Sequence, residues 1–109
     1  MSNEYQFEET EILVQPGSDA LGPFSFDLKP QIEDTDSITG VTVRSYLCGQ
    51  ETTALLIDGV PTLTAGVVYV RFQWPGADYK GNHKLTFTYT TNSGYTDEAD
   101  FCCVKVKDV

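Results

Sequence analysis

A chain of 109 residues, 40% apolar and 21% charged, is long enough to close one core and too apolar to stay disordered. Its net charge of −9 repels phosphate backbones and anionic lipid, which disfavours nucleic-acid and membrane partners and suits a cationic protein surface or divalent ions. No apolar run approaches the roughly 20 residues that span a bilayer.

The segment MSNEYQFEETE carries four glutamates without a clear period. Residues 1–10 are expected to form a mobile acidic arm, and residues 11–109 a single domain. The segment also lacks the basic start and apolar centre of a signal peptide, so the expectation is synthesis in the cytoplasm. Glu11 to Gln15 reads as a short strand stopped by Pro16-Gly17. After Gly22-Pro23, Phe24, Phe26 and Leu28 alternate with Ser25, Asp27 and Lys29, a half-buried strand that Pro30 ends. Gln31 to Ser37 is an acidic loop.

Ile38 to Cys48 is the next strand, with Val41, Val43 and Leu47 on one face and Thr42, Arg44 and Tyr46 on the other. Thr53 to Ile57 is predicted as a compact apolar strand, and Asp58-Gly59 as a turn before another over Val60 to Thr64. From Val67 to Trp74, Val68, Val70, Phe72 and Trp74 share one face. The strongest signal is the stretch from Tyr79 to Val106. There His83, Leu85, Phe87 and Tyr89 alternate with Lys84, Thr86, Thr88 and Thr90; Thr91 to Gly94 supplies a turn, and Phe101 to Val106 returns as a strand. No helical period runs for a useful length. Short strands separated by turn signals predict an all-β fold, an immunoglobulin-like two-sheet sandwich of seven or eight antiparallel strands; a small closed barrel is the alternative.

Residues suited to chemistry are sparse. His83 is the only histidine, and its inward position marks it as a packed core residue rather than a general base. No nucleophile elbow, phosphate-cradling loop or zinc-type Cys and His spacing is present, so neither an enzyme nor a cofactor is expected. Three cysteines, Cys48 and the adjacent Cys102 and Cys103, read as reduced, buried thiols that act as small apolar residues. Two acidic clusters are candidate calcium ligands: Glu33, Asp34 and Asp36 in one loop, and Asp97, Glu98 and Asp100 after the hairpin turn. Their spacing matches no recognised calcium loop, and solvated loop charge is the favoured reading of both.

Two stretches carry a resemblance. Ser37 to Val43 (SITGVTV) resembles the "D-x-I-x-x-x-T-V" opening of small sandwich domains in tailed-phage structural proteins, and Leu85 to Phe101 resembles their "Y-x-L-T-x-x-x-T-T-x-x-G-x-T-D-E-x-x-F" ending. Fibre–tail adaptor proteins and the N-terminal domain of baseplate upper proteins share this plan, and the likeness spans about Phe24 to Val106 as a pattern. Gly81-Asn82-His83 stands where the family pattern has Gly-x-Tyr, leaving no tyrosine to bond back to the preceding corner. The doublet Cys102-Cys103 also breaks the alternation, and a bulge near Phe101 would reconcile the facing of Phe101 with that of Val104 and Val106.

The resemblance implies a non-catalytic virion structural protein of the tail, baseplate or fibre region, made in a host's cytoplasm and assembled with other virion proteins or copies of itself. The arm residues Glu4, Tyr5, Phe7, Glu8 and Glu9 are the expected partner contacts, and exposed strand edges a second route to them. The competing expectation is a ligand-binding module that takes carbohydrate or calcium at its loop ends.

Overall fold

Among the described residues, the alternation of apolar and polar side chains resolves into eight strands. These are β1 (Ile12–Val14), β2 (Leu21–Asp27), β3 (Ile38–Leu47), β4 (Gln50–Glu51), β5 (Thr62–Thr64), β6 (Val67–Phe72), β7 (Gly81–Thr91) and β8 (Thr96–Val106). The computed structural model describes residues 12–17 and 21–107, with the backbone alone for Cys102 and Cys103. The predicted arm, with Glu4, Tyr5, Phe7, Glu8 and Glu9, lies outside the described residues. Five strands form one sheet in the order β1-β8-β7-β3-β4, and three form the other in the order β2-β6-β5. Among the described residues every pairing is antiparallel except that of β1 with β8, which is parallel. The chain is thus all-β, built as two packed sheets.

Inward-facing residues of both sheets make the core. Leu85, Phe87 and Tyr89 of β7 lie beside Phe101, Val104 and Val106 of β8, facing Phe26, Val68, Val70 and Phe72 of the smaller sheet. Phe26 bridges the sheets, its ring centroid 4.9 Å from that of Phe87 and 5.0 Å from that of Phe101. Tilted and edge-on geometries of this kind add to simple burial.

The β7–β8 register contains the expected irregularity. Leu85 stands opposite Phe101 and His83 opposite Val104, so Cys102-Cys103 is accommodated by one extra residue on β8. This bulge keeps Phe101, Val104 and Val106 all facing inward despite their mixed parity. The hairpin closes through Gly94, whose φ of 91° is one that a Cβ disfavours. A similar requirement sits in β2. There a Cβ on Gly22 would lie 2.9 Å from the Phe24 nitrogen and 3.1 Å from the Val70 carbonyl, where the β2–β6 register shifts.

Four local expectations are corrected. Cys48, read as a buried thiol, is exposed in the turn after β3, where its φ of 51° takes it off the strand's alternation. Thr53 to Ile57 is no strand: Thr53–Leu56 is a single helical turn, α1, with Leu56 N–H bonded to Thr52 and Ile57 N–H to Thr53. Thr52 and Leu56 are both buried, a spacing of four that a short apolar run does not separate from strand alternation. Val60 is 88% exposed and precedes β5, which begins only at Thr62. Trp74 lies beyond the end of β6, half-buried against the core, where its indole N–H donates to the Lys107 carbonyl at 3.2 Å.

The sheet edges are blunt. Among the described residues, β4 has two residues, while β1 and β5 have three each. The longer edge strand β2 carries Pro23 and a bulge, both of which discourage pairing with another chain. Broad access is offered by the sheet faces and loop ends rather than the edges.

Candidate functional site

Three regions bring polar side chains together. The first is the outer face of the five-stranded sheet, where the pairing register sets the rows. Tyr46 of β3 stands opposite Lys84 of β7; Arg44 opposite Thr86 and then Asp100 of β8; and Thr42 opposite Thr88 and then Glu98. A shallow groove of about 570 Å³ runs over Tyr46, Lys84, Thr86, Glu98 and Asp100 and reaches the turn at Cys48. Lys84 Nζ is 3.9 Å from Asp100 and 5.9 Å from the centre of the Tyr46 ring, and Thr88 donates to Glu98 at 3.4 Å. These exposed contacts are long and worth little individually. Arg44 is exposed and has no ion pair or side-chain hydrogen bond among the described residues.

The second region is a cleft of about 410 Å³ between the acidic loop and the hairpin turn, lined by Gln31, Glu33, Asp36, Thr91, Ser93 and Tyr95. A directed chain of donors closes its base: Tyr95 N–H donates to Thr91 Oγ1 at 3.1 Å, Thr91 to Ser93 Oγ at 3.1 Å, and Ser93 Oγ to Asp36 Oδ2 at 2.7 Å. The direction follows because the final carboxylate can only accept. The Ser93 hydroxyl, with the Ser37 N–H behind it, holds the Asp36 carboxyl below its usual range. Asp97, which accepts from the Tyr95 hydroxyl at 3.2 Å, pushes that phenol up. Gln31 accepts from the Tyr89 hydroxyl at 3.4 Å, while its buried amide nitrogen has no partner among the described residues.

The third region lies inside the domain. His83 is fully buried, its Nε2 2.8 Å from the Tyr79 carbonyl and its Nδ1 3.0 Å from Thr52 Oγ1. Since a carbonyl only accepts, Nε2 carries the proton and Nδ1 accepts from Thr52, whose oxygen accepts in turn from Ser45 Oγ at 2.8 Å. Burial pushes the imidazole pKa below its ordinary value. The ring makes the bond to the preceding corner for which the sequence offered no tyrosine. Both nitrogens are engaged away from solvent, so His83 has no free lone pair to offer a substrate.

The carboxylates singled out in the sequence do not converge. Asp36 is tied to Ser93, whereas Glu33 and Asp34 are exposed on the loop. On β8, Asp97 bonds Tyr95, and Glu98 and Asp100 point out from the sheet face. Among the described residues no three His, Cys, Asp or Glu side chains gather in a way that could hold a metal ion. Two groups carried no signal in the sequence: the buried hydroxyls of Ser45 and Thr52, and the row of Arg44, Thr86 and Asp100, which exists only through strand register. No helix among the described residues is long and apolar enough to cross a membrane. No protein-family model matches the chain, and no curated protein matches it.

Proposed function

We propose that this chain is a non-catalytic structural domain of a tailed-phage or prophage virion, placed in the tail, baseplate or fibre region and working through protein–protein contacts. The observation that carries the reading is the broad outer face of the five-stranded sheet, where opposite charges and threonines lie in rows over a shallow groove while the sheet edges are blunt. A flat polar face with mixed charge suits recognition of another protein surface. The engagement of His83 on both nitrogens supports the non-catalytic part. The likeness of Ser37 to Val43 and of Leu85 to Phe101 to phage sandwich domains supports the virion setting.

An immunoglobulin-like plan is part of this proposal. In the orders β1-β8-β7-β3-β4 and β2-β6-β5, the strands take the places of A′-G-F-C-C′ and B-E-D in such sandwiches. The His83 bond to Tyr79 would stand in for the tyrosine at the corner before strand F, here β7. Absolute mass in solution, by light scattering on a sizing column at high concentration, tests the contact reading. A discrete oligomer, or co-elution with a neighbouring tail protein, supports it; a lone monomer that captures no virion protein counts against it.

The cleft beside Asp36 favours a second reading, a loop-based ligand-binding module for carbohydrate or calcium. A ligand bound only by the folded state raises the melting temperature. A rise with calcium or a saccharide panel, lost on Ser93→Ala, would move the assignment to that reading.

A further inference from the structure

We infer that the outer face of the five-stranded sheet is self-complementary and docks a second copy of this chain about a twofold axis running along β7. This rests on the proposal that the domain works by protein contacts, and names the partner and the surface.

The argument is one of register. In the central row Arg44 lies on one side of Thr86 and Asp100 on the other, and in the next row Thr42 and Glu98 flank Thr88. Cation and carboxylate are therefore separated across β7 at the same height along the strand. When two such faces meet, a twofold axis in the plane between them has two simple orientations. An axis across the strands places β3 over β3, setting like charge against like. An axis along β7 places β3 of each copy over β8 of the other. Arg44 then meets the other copy's Asp100, Thr42 meets its Glu98, and the Thr86 and Thr88 side chains meet near the axis, as do the two Lys84 chains, each drawn aside toward its own copy's Asp100 at 3.9 Å. The contact is isologous, so each charged pair forms twice.

The side chains fit the role. Arg44 is exposed and has no ion pair or side-chain hydrogen bond among the described residues, and its planar guanidinium can take a carboxylate with two parallel hydrogen bonds. Asp100 holds Lys84 only at 3.9 Å, which leaves its oxygens with acceptor capacity. The local balance of charge matters in a chain whose net charge is −9, because most other surfaces would repel a second copy. Three strands of about ten residues present roughly 450 Å² per copy, or roughly 900 Å² counted over both, which is the size of a weak, reversible interface.

Sedimentation equilibrium of the full chain from micromolar to millimolar concentration, on the natural sequence, R44E, D100R and the double exchange R44E/D100R, tests the inference. A monomer–dimer equilibrium is expected, weakened about tenfold or more by either single reversal and restored by the double exchange. Raised salt should also loosen the dimer, since exposed charge is screened. Both side chains face solvent, so unchanged melting temperatures confirm that the variants fold. A monomer at the highest concentration overturns the inference while leaving contact with a different virion protein open. An oligomer indifferent to charge reversal overturns this face while supporting self-assembly through another.

Discussion

Replacing Thr52 by valine keeps the shape of the side chain and removes one hydroxyl. That oxygen sits between two buried partners, accepting from Ser45 Oγ at 2.8 Å and donating to His83 Nδ1 at 3.0 Å. Ser45 and His83 are both at 0% exposure, so neither can turn to water once the hydroxyl is gone. An unsatisfied buried polar group costs about 1–3 kcal/mol, so two orphaned partners should lower stability by about 2–6 kcal/mol. Against the roughly 5–15 kcal/mol that holds a domain of this size, that is a large fraction. Urea unfolding at pH 8, followed by the fluorescence of Trp74, measures the loss. Thr52→Ser retains the hydroxyl and should cost no more than about 1 kcal/mol, the order of one buried methyl group. A Thr52→Val stability within about 0.5 kcal/mol of the natural protein's would refute the claim that this network is buried and fully paired.

The same network sets a pH dependence. Burial lowers the folded pKa of His83, so the unfolded chain binds the proton first. The stability is present above the ordinary imidazole pKa of about 6.5 and is lost as pH falls below it, by at most about 1.4 kcal/mol per unit, until the folded ring itself titrates. The pH dependence of the urea midpoint between pH 8 and 5 should therefore be shallower in His83→Leu than in the natural protein; equal slopes would sink the assignment. Phe26→Ala removes the ring that touches both Phe87 and Phe101 and should cost about 3–5 kcal/mol by urea unfolding. Ser93→Ala takes away the main donor to Asp36, and carboxyl NMR titration should show the Asp36 pKa rising toward its ordinary value. In the natural protein the stability from that pairing is present above the ordinary carboxyl range and lost as pH falls through the depressed folded value.

Much of the β architecture can be read from the sequence alone. The alternation from His83 to Tyr89 and from Val68 to Phe72 predicts the buried faces of β7 and β6, because strand side chains alternate strictly whatever lies opposite. Gly94 marks the turn because few other residues tolerate its backbone angles. Even the β8 bulge follows from the parity conflict between Phe101 and Val104. What the sequence could not decide depends on which distant segments meet. The helical turn at Thr53–Leu56 looks like a strand until the neighbouring Thr52 is pinned to Ser45 and His83. Asp36 and Ser93, 57 residues apart, become partners only when the acidic loop lies against the hairpin turn. The row of Arg44, Thr86 and Asp100 has no local signature, since a register slip of one residue would turn these side chains to the other face. Local periodicity is a property of each strand by itself, whereas the polar face and the cleft are properties of strand register and of how loops converge, which only tertiary packing selects.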